Sequence, residues 1–141
     1  MFSLRLLTCV LLCLAVSPAP AGELVVVVNA RSGVDRLSRE EVVNIFMGRY
    51  RVLPSGVTAW PIDQPAALPA RALFYRKLVD KDLSEINAYW ARLVFSGKTS
   101  PPRQARRQGE VVDWVASHVG AVGYLDSDLV DARMQIVLPL P

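Results

Sequence analysis

The sequence predicts an α/β domain: a sheet covered by helices, in three layers. Three observations carry this. "ELVVVVN", residues 23–29, is an unbroken run dominated by β-branched residues, the pattern of a strand buried on both faces. Capped helical periodicities then alternate with short apolar runs in the order β-α-β-α-α-α-β-β. Finally, residues 22–141 comprise 120 residues, enough for one core and not for two.

The first 21 residues read as a secretory signal. "MFSLR" is a short basic start, "LLTCVLLCLAV" an apolar run of 11 residues, and "SPAPAGE" a small-residue close with Ala19 and Ala21 in A-x-A spacing. The apolar run falls short of the roughly 20 residues a bilayer span needs, so cleavage is expected before Gly22, with no stable membrane insertion afterwards. Both cysteines, Cys9 and Cys13, leave with the signal, and the exported chain has neither disulfide nor thiolate chemistry. It carries 15 basic and 13 acidic residues, too near balance to call for nucleic acid. The expected location is the periplasm.

After the first strand, "ARSGVDR" reads as a loop. Ser38 caps a helix, and Glu41 completes a capping box. Val42, Ile45 and Phe46 form that helix's apolar stripe, and Gly48 stops it. "VTAWPI", 57–62, is the second strand, with Pro61 at its end. Pro69 opens the next helix, where a missing N–H is no loss. Ser84 is the expected cap of another, in which Ile86, Tyr89, Trp90 and Leu93 recur at helical spacing. "SGKTSPPRQARRQ", 96–108, reads as a loop, since Gly97, Pro101 and Pro102 interrupt regular structure. A short helix follows over "EVVDWVASHV", with Val111, Trp114, Val115 and His118 on one side. "AVGYL" and "MQIVL", 134–138, are the closing strands. The indole and phenol rings of Trp90, Trp114 and Tyr124 are expected in the core, and His118 as a packed or capping residue.

Four segments, "LSREEVVNIFMGRY", "VTAWPID", the helix with "ALFY", and "VVDWVASHVGAVGYL", together resemble the phosphate ABC-transporter substrate-binding proteins. "YWARLVFSGKTSPPR" fits a short, one-domain branch of that family. The resemblance covers nearly the whole exported chain, and it rests on the order and spacing of the segments. It implies one lobe of a type II periplasmic binding protein, a non-enzymatic module that takes up phosphate or a related small oxyanion for transport or sensing. It also implies a transporter or another envelope protein as partner. The chain departs from the family where a Ser-Gly-Thr cluster would hold phosphate. "QPAALPA" stands there instead, with no hydroxyl.

The candidate ligand contacts follow. Asn29 and Ser32 come after the first strand, where open α/β sheets place ligands. Asp63, Gln64 and Arg71 flank the hydroxyl-poor loop. Arg71 offers a charged fork and the helix start offers free N–H groups, while Asp63 repels an anion unless it accepts a proton from it. Ser96, Gly97 and Lys98 begin a basic stretch that continues through Arg103, Arg106 and Arg107. For each of these the alternative is ordinary loop or surface chemistry. No catalytic motif, metal-ligand set or cofactor signature is present: the chain has no G-x-S-x-G, no H-E-x-x-H and a single histidine. "DSDLVD" lacks the glycine and glutamate of a calcium loop. The rival to oxyanion binding is a ligand-free module that docks on another envelope protein.

Overall fold

A computed structural model of the protein describes residues 22–141; the expected signal and both cysteines lie outside the described residues. The elements are β1 (Leu24–Asn29), α1 (Arg39–Phe46), β2 (Trp60–Asp63), α2 (Pro69–Val79), α3 (Leu83–Phe95), β3 (Arg103–Gln104), α4 (Gln108–Ser117), β4 (Ala121–Asp126), a 3-10 turn (Ser127–Leu129) and β5 (Met134–Leu140). The strands form one sheet in the order β3-β2-β4-β1-β5. β2 runs parallel to β3 and β4, and β1 runs antiparallel to β4 and β5.

Every residue of β1 is buried, as its β-branched run requires. Val26 and Val28 join Phe46, Phe74, Ile86 and Trp90 in a core under α1, α2 and α3. Val25 and Val27 join Ile62, Val111, Val115 and Leu125 in a second core under α4. The layers are therefore three helices, a mixed sheet and one helix, the three-layer α/β arrangement the sequence predicts. Each buried valine or leucine contributes roughly 1.5–3 kcal/mol, so these two cores supply most of the driving force.

Three local expectations are corrected. The cap of α3 is Asp82, which accepts from the Glu85 N–H while Glu85 reaches back; Ser84 is already helical, and a carboxylate one residue outside the helix makes the same box. The stretch 96–108 holds a two-residue strand, β3, paired with Ile62 and Asp63. The second strand starts later than expected, at Trp60, because Thr58 bridges back to Val52 instead. His118 takes the packed and capping part expected of it: its exposed ring stacks on Trp114 at 3.6 Å, and its backbone N–H closes α4 on the Trp114 carbonyl. Among the described residues, no helix is long and apolar enough to cross a membrane.

Candidate functional site

β2 ends in Asp63, and the loop after it leads into α2. Asp63 is 3% exposed. Its carboxylate is the centre of a cluster of donors. Arg71 Nε donates to Oδ2 at 3.2 Å and the Tyr75 hydroxyl donates to the same oxygen at 2.7 Å. On the other oxygen, Oδ1, the Tyr124 hydroxyl donates, and the Gln64 backbone N–H donates at 2.9 Å. Arg71 and Tyr75 are four apart, so α2 presents both on one face. Tyr124 comes from β4, the neighbour of β2, and its ring stacks on Phe74 at 3.7 Å. One negative and one positive side chain thus neutralise each other in a nearly dry place, with the phenols taking the remaining lone pairs.

The phenols report this environment. Burial raises Tyr75 well above the ordinary phenol range, and the Asp63 charge and hydrogen bond add to it, against the lowering pull of Arg71. Burial, and then Asp63, raise Tyr124 in the same direction. Both remain neutral donors, as a carboxylate partner requires.

The sequence-derived candidates do not all converge. Asp63, Gln64 and Arg71 come together. Asn29 lies at the other end of the sheet: β4 pairs Val122 with both Val28 and Pro61, so Asp63 falls level with Val26. Three residues of strand, about 10 Å, separate that level from Asn29 along the sheet. Asn29 donates to the carbonyls of Val115 and Ala116 at 2.8 and 3.1 Å, closing the end of α4. Ser32 is buried, and its Oγ accepts from the Val34 N–H at 3.2 Å. Ser96, Gly97 and Lys98 form the exposed end of α3, with hydrogen bonds back into that helix and to Arg51. Gln64 is fully buried; its amide N–H donates to the Tyr124 carbonyl at 2.8 Å, and its Oε1 has no donor among the described residues.

Two members of the cluster, Tyr75 and Tyr124, were not among the sequence candidates. The Arg71–Tyr75 spacing is a signal that was there to be read. Tyr124 gives none, since it looks like any apolar-side residue of a buried strand.

Only the Nε of Arg71 has a hydrogen-bond partner among the described residues, although its side chain is just 10% exposed. No side chain caps the start of α2, where Leu68 holds the cap position and Pro69 follows. The junction therefore retains donors: the guanidinium's terminal nitrogens and the positive end of α2.

No family model and no curated protein matches this sequence. Solved structures do match in shape. An ABC-type phosphate transport receptor from Vibrio cholerae superposes with a TM-score of 0.64 at 16% identity, covering 82% of this chain and 45% of its own. A phosphate ABC-transporter-type substrate-binding protein with bound phosphate, from Clostridium perfringens, gives 0.65 at 12% identity, covering 82% and 44%. PstS from Borrelia burgdorferi gives 0.61 at 11% identity, covering 83% and 47%. This chain thus spans less than half the length of the receptors it matches. It has the fold of about one lobe of the phosphate ABC-transporter receptors.

Proposed function

We propose that this chain is an exported, non-enzymatic binding module that takes phosphate or a related small oxyanion at the junction of β2 and α2. The observation that carries the reading is Arg71. It stands in the first turn of α2, fixed through Nε by Asp63, with its terminal nitrogens unpaired among the described residues. An oxyanion there receives charge-assisted hydrogen bonds from the guanidinium and the favourable field of the helix start. Asp63 is then a positioning residue that aims the fork. The phosphate named with the Clostridium perfringens neighbour supports the ligand class. The loop 65–68 adds no hydroxyl, so the grip is weaker than a site rich in serine and threonine gives. The N-terminal signal layout supports a periplasmic location, and transport or sensing with an envelope partner fits both.

The test is thermal unfolding in rising phosphate and sulfate. Ligand at one hundred times its dissociation constant adds about 2.7 kcal/mol to stability. A rising melting temperature that Arg71→Gln abolishes is the expected result. An unchanged melting temperature through millimolar anion rejects the reading.

A second reading has one observation in its favour. Asp63 already takes a guanidinium and two phenols, the donors an external anion would use. The site is then filled from within, and the lobe serves to dock on another envelope protein. Asp63→Ala separates the two: phosphate that stabilises this variant and leaves the parent untouched selects the filled site.

A further inference from the structure

A concavity lies at the start of β2, along the sheet edge that the two-residue β3 leaves uncovered, lined from one face of the sheet by Ile45 and Trp90 and from the other by Trp114. Its volume is about 450 Å³, within the roughly 300–1,000 Å³ of small-molecule sites. All three tryptophans of the chain line it: Trp60 from β2, Trp90 from α3 and Trp114 from α4. Trp60 is 56% exposed and Tyr50, on the same wall, 48%. Large aromatic faces open to water are a cost for a small domain, and two of them stand together here.

The charged groups in this groove are of one sign. Arg51 and Arg103 stand in the lining, and no aspartate or glutamate does. Arg103 lies over the Trp114 ring at 4.4 Å, and its one carboxylate partner among the described residues, Glu110 outside the lining, is 3.5 Å away at the surface. Among the described residues the Arg51 side chain makes only surface hydrogen bonds, to the Lys98 carbonyl and the Thr99 hydroxyl at 3.5 and 3.2 Å. A groove with aromatic walls, two guanidinium groups and no carboxylate is complementary to an acceptor-bearing anion with an apolar body.

We propose that this groove binds a small organic carboxylate with an aromatic or branched apolar body, the body against the exposed rings of Trp60 and Tyr50 and the carboxylate on Arg51 and Arg103. The site shares no residue with the Asp63–Arg71 junction, so it stands or falls independently of oxyanion binding there.

Because every tryptophan is in the groove, intrinsic tryptophan fluorescence reads it directly. The protein is titrated with phenylacetate, with phenylacetamide as the neutral twin of the same shape, with inorganic phosphate, and with an acidic peptide lacking aromatic residues. The expected result is a saturable change with phenylacetate in the range of about 1 mM, as ten heavy atoms allow. Phenylacetamide should bind about tenfold more weakly, and phosphate should leave the signal unchanged. Trp60→Ala and Arg103→Gln, both at exposed positions, should each weaken phenylacetate about tenfold while the melting temperature holds. Equal binding of acid and amide overturns the proposal, since the groove would then be merely apolar. No saturable change with phenylacetate also overturns it, and a change with the acidic peptide alone reassigns the groove to a protein partner.

Discussion

Tyr75 donates its hydroxyl to Asp63 Oδ2 at 2.7 Å, one turn of α2 beyond Arg71, which donates to the same oxygen. One buried carboxylate oxygen thus ties α2 to the end of β2, and Tyr124 ties the other oxygen to β4. Truncating such a centre leaves a buried guanidinium without its counter-charge. Asp63→Ala is expected to cost about 3–5 kcal/mol, read as a fall in the urea midpoint. The double variant Asp63→Ala/Arg71→Leu should lose less than the two single losses added together, because the second change removes the stranded charge. Strict additivity would show that the pair is not coupled.

The same cluster sets the alkaline limit. In the unfolded chain both phenols ionise near their ordinary pKa of about 10. In the folded chain, burial and the Asp63 charge hold their protons on. The folded state therefore binds more protons above that pH, so this stabilisation is complete below about pH 10 and is lost as the pH rises further. Tyrosinate absorbance checks it: of the four tyrosines, Tyr75 and Tyr124 should ionise only as the fold is lost. Tyr75→Phe should flatten the alkaline limb and, at neutral pH, cost about 1.5–3 kcal/mol, the worth of a hydrogen bond to a charged group.

What the sequence shows and what it hides divide along physical lines. The Ser38 capping box, the β1 run and the Pro69 helix start are set by neighbours within a turn or two, and the structure has all three. β3 was hidden because two residues carry no periodicity and their pairing depends on β2, forty residues earlier. Helical spacing marks Trp90 and Trp114 as core; Trp90 is 6% exposed, whereas Trp114 is only half-buried, packed against the edge of the second core. Spacing within one helix says nothing of where two helices part, so the groove they share with Trp60 was not legible. At the junction, Asp63 and Arg71 stood out as a charged pair beside a bare loop. That they would turn on each other depends on Tyr124, which lies 61 residues from Asp63 in sequence.

Asn29 illustrates a site candidate with a structural task. Its side-chain N–H groups satisfy two carbonyls at the end of α4, while its Oδ1 accepts from the Arg31 N–H at 2.8 Å. Asn29→Ala leaves the buried Val115 carbonyl unpaired, which should cost about 1–3 kcal/mol. Asn29→Asp should cost as much or more, since a carboxylate cannot donate to those carbonyls. Denaturant midpoints check both, and hydrogen exchange at the last turn of α4 should quicken. If Asn29→Ala left the midpoint unchanged, the α4 contact would carry no stability.

Gly120 and Gly97 separate two reasons for glycine. A Cβ at Gly120 would lie 1.8 Å from the Thr58 carbonyl oxygen, although the backbone there is not left-handed. The Gly120 carbonyl accepts from the Trp60 N–H at 2.8 Å, so the two backbones touch where β2 begins beside β4. A methyl group cannot be fitted by turning a side chain, and the strands must separate. Gly97 is the opposite case: nothing lies within 4 Å of its added Cβ, but its φ is +71°. Gly97→Ala therefore meets only the left-handed penalty, about 1–2 kcal/mol. Gly120→Ala meets an overpacking cost of at least about 1–3 kcal/mol and also strains the Trp60 hydrogen bond. The urea midpoint of Gly120→Ala should fall further than that of Gly97→Ala. The reverse order would mean that β2 and β4 do not approach so closely at this point.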